Sequence, residues 1–335
     1  MGFRVEVLET GQVFEAGEGE AVLDAATRQG VPLRHDCTFG TCGTCRVRIV
    51  QGSVRYDEPP MALSDAETEQ GFALMCQAKA TSALVLSSAR ELPAVAEPAR
   101  HAAVIRQVRP LTGEVLHLEI EVPGLDGPTW RPGQYMNVHL PDGTHRSFSM
   151  ASIPGSGVVD FHVRRIAGGR FTENRLAEMR AGDPLDIEFP LGPFGLFKSD
   201  YRPLLMVATG TGIAPIKSML ESLLDDDECP PVWLYWGMRS EADLFLDGVF
   251  RSWQGRLYEF QYVPVLSRAG ATWRGRRGHV QQAVLADLPD LSEHGIYLCG
   301  SPAMIDEAKK EFTAHGAQLD HLHVDAFTFQ QEFSK

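Results

Sequence analysis

Four cysteines near the amino terminus constrain this chain more than any other feature of its sequence. They follow the spacing Cys37-x₄-Cys42-x₂-Cys45, and Cys76 comes later in the chain. Three thiolates so close together must come from one loop curled around a single centre, and the fourth must return from elsewhere in the fold. This spacing is typical of four-cysteine [2Fe–2S] sites. The sequence therefore predicts that these four cysteines are metal ligands.

Two other interpretations compete with an iron–sulfur cluster. Zinc is one, although zinc sites usually show paired C-x₂-C units. Ordinary buried thiols are the other, and they would require four coincident spacings. Gly40 and Gly43 favour the cluster, because they allow tight backbone angles and let N–H groups point at the sulfurs.

Charge and composition argue against several classes of partner and against a location in a membrane. The net charge of −13 repels phosphate backbones and anionic lipid, so we expect neither nucleic acid nor a membrane surface as a partner. No window approaches ~18 consecutive apolar residues, the length that a membrane span needs. The first residues alternate and are acidic, unlike a signal peptide. We expect a soluble, cytoplasmic protein.

Changes in pattern divide the chain into three predicted domains, 1–92, 100–198 and 199–335, with a linker rich in proline and alanine at 91–101. The first has strand and helix patterns around the cysteine loop, and Ser64 to Glu67 has the form of a capping box. The second is strand-like, with one helix at 173–179, and favours an antiparallel barrel or sandwich. In the third, strands alternate with helices, which indicates a parallel sheet covered on both faces.

The first of these domains resembles a plant-type ferredoxin of β-grasp fold. The resemblance rests on the four-cysteine spacing within its strand and helix pattern. Alone, such a domain would be a one-electron carrier, so the rest of the chain decides whether the protein is a carrier or an enzyme.

The second domain resembles the flavin-binding domain of the ferredoxin–NADP reductase superfamily. Arg146-Ser147-Phe148-Ser149 is similar to its Arg-x-Tyr-Ser motif, with Phe148 in place of the usual tyrosine. The resemblance implies that Arg146 pairs with the flavin pyrophosphate and that Ser149 lies by the isoalloxazine. A second similar segment implies further flavin-binding residues, with an anion site where Thr172 begins a helix: His162, Arg164, Gly169, Arg170, Phe171 and Thr172.

The third domain resembles the nucleotide domain of the same superfamily. Gly210-Thr211-Gly212 and Pro215 lie between a predicted strand and a predicted helix, and Pro215 suits the first helical turn. Cys299 and Gly300 end a later strand, and the resemblance implies that this cysteine lies beside the nicotinamide. An ordinary small residue at the end of a strand is the alternative for Cys299.

The choice between NADH and NADPH stays open in the sequence. Arg239 and three other arginines offer contacts to a 2′-phosphate, although surface roles suit each of them equally well: Arg268, Arg276 and Arg277. The resemblance alone favours NADH. It also implies FAD, without excluding FMN.

Together the three resemblances cover nearly the whole chain and predict a multidomain α+β and α/β protein. Its parts would be a ferredoxin β-grasp, an antiparallel β-barrel flavin domain and a Rossmann-like parallel-sheet nucleotide domain. This order resembles the NADH-dependent reductases that feed a terminal oxygenase component in aromatic catabolism. The carboxyl-terminal third also resembles CDP-6-deoxyglucoseen reductases, which serve a dehydratase in deoxysugar synthesis. A non-catalytic redox sensor is a third hypothesis.

The resemblance also suggests a role for the end of the chain. A final strand at 321–327 would place Phe327 at the carboxyl edge of the parallel sheet, where ligands bind. Phe327 is then a candidate shield against the flavin. The alternative is that Phe327 packs in the core and that the tail at 330–335 is solvated.

Overall fold

A computed structural model describes the chain except for residues 1, 9, 34, 36–37, 42, 44, 88–94, 126–128, 156, 199–200 and 328–335. At positions 66, 170, 174 and 320 it describes the backbone but not the side chain. The chain divides into two compact units. The first comprises Met1–Glu91, Ser301–Lys310 and Val324–Lys335, and the second comprises Leu92–Gly300 and Glu311–His323. The three predicted domain boundaries stay predictions.

The first unit is built around a five-stranded mixed sheet in the order β2-β1-β7-β3-β5. Its elements are β1 Gly2–Val7, β2 Val13–Gly17, α1 Val22–Arg28, β3 Arg46–Gln51, β4 Val54–Arg55, α2 Asp65–Glu69, β5 Phe72–Leu74, β6 Lys79–Ala80 and β7 Leu84–Ser87. Alternation in β1 buries Val5 and Val7 against α1, whose Val22 and Leu23 lie in the same core. The predicted capping box is confirmed, because the Ser64 N–H donates to Glu67 Oε2 (2.8 Å) and the Glu67 N–H donates to Ser64 Oγ (3.3 Å).

The second unit begins with a six-stranded antiparallel sheet in the order β11-β10-β13-β8-β9-β12. Its elements are β8 Ala99–Pro110, β9 Val115–Glu121, β10 Tyr135–His139, β11 His145–Ser149, β12 Val158–Arg164, α3 Leu176–Glu178 and β13 Pro184–Leu191. Alternate residues of β12, such as Phe161 and Val163, are fully buried and form its core with Trp130.

A six-stranded sheet follows in the order β17-β16-β15-β14-β18-β19, and β14 pairs in parallel with both β15 and β18. Its elements are β14 Leu204–Thr209, α4 Ile213–Glu221, β15 Val232–Met238, α5 Asp247–Ser252, β16 Gln261–Leu266, β17 Arg276–Arg277, α6 Val280–Asp287, β18 Gly295–Gly300, α7 Pro302–Ala314 and β19 Leu322–Ala326. The continuous burial of β14 and β18 is typical of a parallel sheet covered on both faces. The predicted fold class is confirmed.

Two local predictions need correction. The sequence patterns did not show β13, although it lies between β10 and β8 in the sheet. The helix predicted at 173–179 is instead a wide π-helical turn, Arg170–Arg175, followed by α3. Thr172 therefore lies inside the turn, and Gly169 caps it.

Candidate functional site

Two of the four predicted ligands, Cys45 and Cys76, are buried side by side in the first unit. The backbone N–H of Cys76 donates to Cys45 Sγ (3.4 Å), and the N–H of Met75 donates to the Cys45 carbonyl (3.1 Å). An N–H donor aimed at sulfur stabilises a thiolate, the form that binds metal. Cys37 and Cys42 lie outside the described residues.

The loop that carries the cysteines has the backbone shape that the sequence predicts. Gly40 and Gly43 have φ of +78° and +75°, angles that favour glycine. A Cβ added at Gly40 would lie 2.4 Å from Gln77 Oε1, the side chain that follows Cys76. The loop therefore approaches the Cys76 segment closely. This close approach and the sulfur donor set fit a cluster held by four thiolates.

Tyr56 lies near the same two cysteines. Its hydroxyl oxygen accepts the N–H of Leu74 (3.0 Å). Burial raises the pKa of Tyr56 to about 12, and negative charge on Cys45 and Cys76 adds to the effect. The tyrosine is thus neutral near the sulfurs.

In the second unit, the two predicted flavin segments meet. The Phe148 and Phe171 rings lie with centroids 5.7 Å apart. Ser149 is buried and pairs with Tyr135 across the sheet. Arg146 is half-buried, and its Nη1 donates to the His145 carbonyl (2.8 Å). The structure thus brings both segments to one place, while their contacts to a flavin stay predictions.

The predicted anion site contains groups that already have protein partners. Thr172 Oγ1 accepts the N–H of Ile166 (3.1 Å), and the N–H of Gly168 donates to the Glu173 carboxylate. The side chain of Arg170 lies outside the described residues. A phosphate bound here would therefore compete with Glu173 for the Gly168 N–H.

His162 is the most perturbed titratable group of this region. Its ring packs edge-on against Phe245 (centroids 5.2 Å apart), and its buried Nδ1 has no hydrogen-bond partner among the described residues. Burial lowers the pKa of His162 to about 3, and the positive charge of Lys217 adds to the effect. The imidazole is therefore neutral at physiological pH.

Glu114 joins two of the predicted cofactor-binding arginines. Arg164 Nη2 donates to Glu114 Oε2 (3.1 Å), and Arg239 Nη1 donates to Glu114 Oε1 (3.3 Å). All three side chains are substantially exposed, so these ion pairs add little to stability. Their consequence is electrostatic, because the Glu114 carboxylate offsets the positive charge of Arg239.

The glycine loop and the end of β18 are in contact, as the nucleotide resemblance implies. Gly210–Gly212 forms one 3₁₀ turn, and Pro215 lies in the first turn of α4. A Cβ at Gly212 would lie only 2.4 Å from the Cys299 carbonyl oxygen and 2.9 Å from Gly300 Cα. Only glycine permits this approach. Thr211 is half-buried in the turn, and Cys299 is fully buried.

Two side chains of α4 connect the flavin and nucleotide segments within the second unit. Lys217 Nζ donates to the carbonyl of Ala151 (2.9 Å), two residues after Ser149. Ser218 Oγ accepts the N–H of Gly133 (3.0 Å). Sequence reasoning missed both residues, since a lysine and a serine on a helix carry no signal of their own. The two sets of predicted cofactor residues are therefore neighbours.

The remaining predicted residue, Phe327, follows β19 and is half-buried. Its role as a shield stays a prediction, and the tail at 330–335 lies outside the described residues. Among the residues that the structure does describe, no helix has the length and apolar character to cross a membrane.

Three family models match the chain in the order that the sequence predicts. They are a 2Fe-2S iron-sulfur cluster binding domain at residues 5–81, an oxidoreductase FAD-binding domain at 107–196 and an oxidoreductase NAD-binding domain at 206–310. The predicted cofactors, a [2Fe–2S] cluster, FAD and a nicotinamide nucleotide, are confirmed at the level of these domains.

Relatives over nearly the full length include hexulose dehydrase reductases and reductase components of aromatic dioxygenases. The CDP-6-deoxy-L-threo-D-glycero-4-hexulose-3-dehydrase reductase of Yersinia pestis is 32% identical over 330 residues, 98% of this chain and 99% of that protein. Reductase component 1 of the Comamonas sp. terephthalate 1,2-dioxygenase is 30% identical, covering 98% of both. Among solved structures, the Amycolatopsis cytochrome P450 reductase GcoB has a TM-score of 0.72 at 29% identity, covering 98% of this chain and 99% of that one.

Proposed function

We propose that this chain passes electrons to the terminal component of an aromatic-ring oxygenase. It belongs to the family of electron-transfer reductases that join a 2Fe-2S domain, an FAD-binding domain and an NAD-binding domain. It is an oxidoreductase that carries electrons from NADH through FAD and a [2Fe–2S] cluster to a separate protein. When bound, FAD supplies the conversion between two-electron and one-electron transfer that a nicotinamide and an iron–sulfur cluster require.

One observation carries the electron-transfer part of the proposal, the adjacency of the flavin and nucleotide segments in the second unit. Hydride transfer requires two ligands in contact, and the protein must hold their sites side by side. The Lys217–Ala151 hydrogen bond fixes the helix that follows the glycine loop against the end of the Arg146–Ser149 strand. The contact of Gly212 with Cys299 brings the second nucleotide segment to the same loop.

We further propose individual roles for the residues of this site. Arg146 offers a guanidinium fork for the pyrophosphate of the flavin, since planar, bidentate donors suit phosphate oxygens. Ser149, buried at the end of β11, would hydrogen-bond the flavin ring, and Cys299 would lie against the nicotinamide. Phe327 remains a candidate shield of the flavin, on the superfamily resemblance alone.

The ion pairs of Glu114 support NADH as the electron donor. A 2′-phosphate that approached Arg239 would meet the Glu114 carboxylate, which Arg164 also binds. A carboxylate would repel a phosphate group nearby, so the pair disfavours NADPH. We expect a Glu114→Gln variant to lose part of its preference for NADH. An unchanged ratio of kcat/KM for the two nucleotides would remove this argument.

A second candidate function follows from the hexulose dehydrase reductases. These relatives match the chain as well as the oxygenase reductases do, at 32% identity over 98% of its length. On this alternative the acceptor would be a deoxysugar dehydratase rather than an oxygenase.

A pair of acceptors tests the general function, and purified partners distinguish the candidates. The cofactor-loaded protein should reduce both ferricyanide and cytochrome c with NADH. A protein that holds its cofactors yet reduces neither acceptor would be a redox sensor, contrary to the proposal. NADH-dependent product formation with an aromatic-ring oxygenase, and none with a hexulose dehydratase, would support the first candidate, and the reverse result would establish the second.

A further inference from the structure

A buried lysine in the first unit has no part in the electron path described above. Lys309 comes from the segment Ser301–Lys310, and only 6% of its side chain is exposed. Its Nζ lies 2.9 Å from Glu67 Oε2 and donates to the carbonyl of Ala62 (3.1 Å). Glu67 is fully buried and also pairs with Arg46 through its other oxygen. These side chains form a buried ionic group, which we call the Lys309 cluster: Arg46, Glu67 and Lys309.

A buried ionic group of this kind is weak evidence for stability. The free energy lost when charges leave water is as large as the free energy of their mutual attraction, unless the geometry is good and the remaining hydrogen bonds are satisfied. Here Glu67 Oε2 also accepts the N–H and the hydroxyl of Ser64, both at 2.8 Å. Such groups can serve to select one conformation, because a displaced partner leaves a buried charge alone.

The Lys309 cluster reaches the iron–sulfur site by two short routes. Arg46 directly follows Cys45 in the chain. Ala62, whose carbonyl accepts from Lys309, donates its own N–H to the carbonyl of Gly40 (2.9 Å). Gly40 is the loop residue with positive φ that lies against Gln77, next to Cys76. The ammonium group of Lys309 is thus connected to the cysteine loop and to Gln77, the residue that follows the predicted ligand Cys76.

We propose that Lys309 is a positioning residue for the [2Fe–2S] site, acting through Glu67, Arg46 and the Ala62–Gly40 hydrogen bond on the loop that carries the cysteines. This inference rests on the proposed function only in that it takes the four cysteines to hold the cluster. Lys309 would affect how firmly the [2Fe–2S] cluster is held and how symmetric the surroundings of its irons are. It would not affect flavin reduction.

The chain offers a matched control for this role in Lys310, which is the same residue type, one position later and exposed. We would compare Lys309→Met and Lys310→Met, both loaded with cluster and flavin. Two readouts serve: the rate of iron release to a chelator, and the EPR spectrum of the dithionite-reduced cluster. Lys309→Met should release iron roughly tenfold faster or more, because it leaves the Glu67 charge buried with one partner fewer. Its EPR spectrum should also change, while Lys310→Met matches wild type.

A double variant keeps the test decisive if Lys309→Met folds poorly. Glu67→Gln with Lys309→Met removes two of the three charges and leaves only Arg46, whose side chain is the most exposed of the three (17%). The double variant should therefore fold better than Glu67→Gln alone and still show an altered EPR spectrum. An unaltered EPR spectrum in both Lys309→Met and the double variant would overturn the proposal, as would equal changes in Lys310→Met.

The proposed function is tested separately by the ferricyanide activity. NADH–ferricyanide reduction should stay at the wild-type rate in all these variants. If the wild type itself fails to reduce cytochrome c with NADH, the proposed function is wrong, whereas the iron-release and EPR comparison still decides the role of Lys309.

Discussion

The two units treat buried charge in opposite ways. In the first, Glu67 is ionised and enclosed by donors. Burial opposes its ionisation, but Lys309 and Arg46 outweigh that effect and lower the pKa to about 2. In the second, His162 is also buried, yet it is neutral and its Nδ1 has no partner among the described residues.

This difference indicates two uses for polar groups in the interior. Where every group is paired, as around Glu67, the pairing holds neighbouring backbone in one arrangement. Where a buried polar atom has no partner among the described residues, as at His162, it does not hold neighbouring backbone in place. Buried groups with perturbed pKa values occur often at functional sites. We therefore expect changes in the first unit to affect cofactor retention, and changes in the second to affect ligand binding and pH response.

The largest expected effect is the complete loss of an activity that needs the first unit, with an activity of the second unit retained. Cys76→Ser removes one of the two described sulfurs of the iron–sulfur site, so it should abolish NADH–cytochrome c reduction. NADH–ferricyanide reduction should persist, because the Arg146–Ser149 strand and the glycine loop lie in the second unit. Cys229→Ser is the control, since Cys229 is also buried but is neither a predicted metal ligand nor a predicted cofactor-binding residue. Equal loss of both activities in a Cys76→Ser protein that still holds flavin would contradict this order of electron transfer.

A smaller effect is expected at the flavin segment. Arg146→Ala should weaken FAD binding by ~1.5–3 kcal/mol, roughly ten- to a hundred-fold, the contribution of a hydrogen bond to a charged group. Fluorescence titration of the flavin measures this directly, and the iron content should not change. Arg106→Ala, which removes an exposed arginine of β8, should bind FAD like wild type. A wild-type dissociation constant for Arg146→Ala would show that the motif was misread.

The sequence predicted this site because its chemistry resides in short, contiguous motifs. The cysteine spacing, the Arg146–Ser149 strand and the glycine loop are each readable without knowledge of the fold. The Glu67–Lys309 pair is not, because its partners come from distant segments and a lone lysine on a helix predicts only solvent exposure. β13 was missed for a different reason. Pro184 and Pro190 argue against a central strand, but they lie at its first position and near its end, where a missing N–H is tolerated.

The close approach of the glycine loop to β18 should also be measurable. Gly212→Ala places a methyl group against the Cys299 carbonyl, which costs ~1–3 kcal/mol or moves the loop. We expect a raised KM for NADH with little change in flavin content. Gly248→Ala on α5 is the control, because its Cβ would meet nothing within 4 Å. Normal NADH kinetics in a stable Gly212→Ala protein would exclude a role for this contact.

The smallest expected effect is the loss of folding stability at acidic pH that His162 causes. The folded pKa of His162 is about 3, below the ordinary value of 6.5, so the unfolded chain binds a proton that the folded chain does not. Stability from this group is complete above pH 6.5 and is lost as the pH falls toward 3, with ~1.4 kcal/mol lost at pH 5.5. Glu67, whose ordinary value is 4.5, adds no such loss above about pH 5.

Thermal release of flavin, followed between pH 7 and 5.5, tests this pH response. The midpoint should fall in the wild type and fall less in His162→Phe, which keeps an aromatic ring against Phe245. If both proteins show the same pH dependence, His162 is protonated in the folded state or makes no contribution.

The central claim, that electrons from NADH reach the iron–sulfur cluster only through the flavin of the second unit, has one direct test. The Arg146→Ala protein would be stripped of flavin, mixed anaerobically with NADH, and frozen for EPR before and after FAD is restored. We predict no reduced-cluster signal without FAD, a signal with excess FAD, and full reduction by dithionite in both samples. A reduced-cluster signal that appears equally fast without flavin would contradict the account.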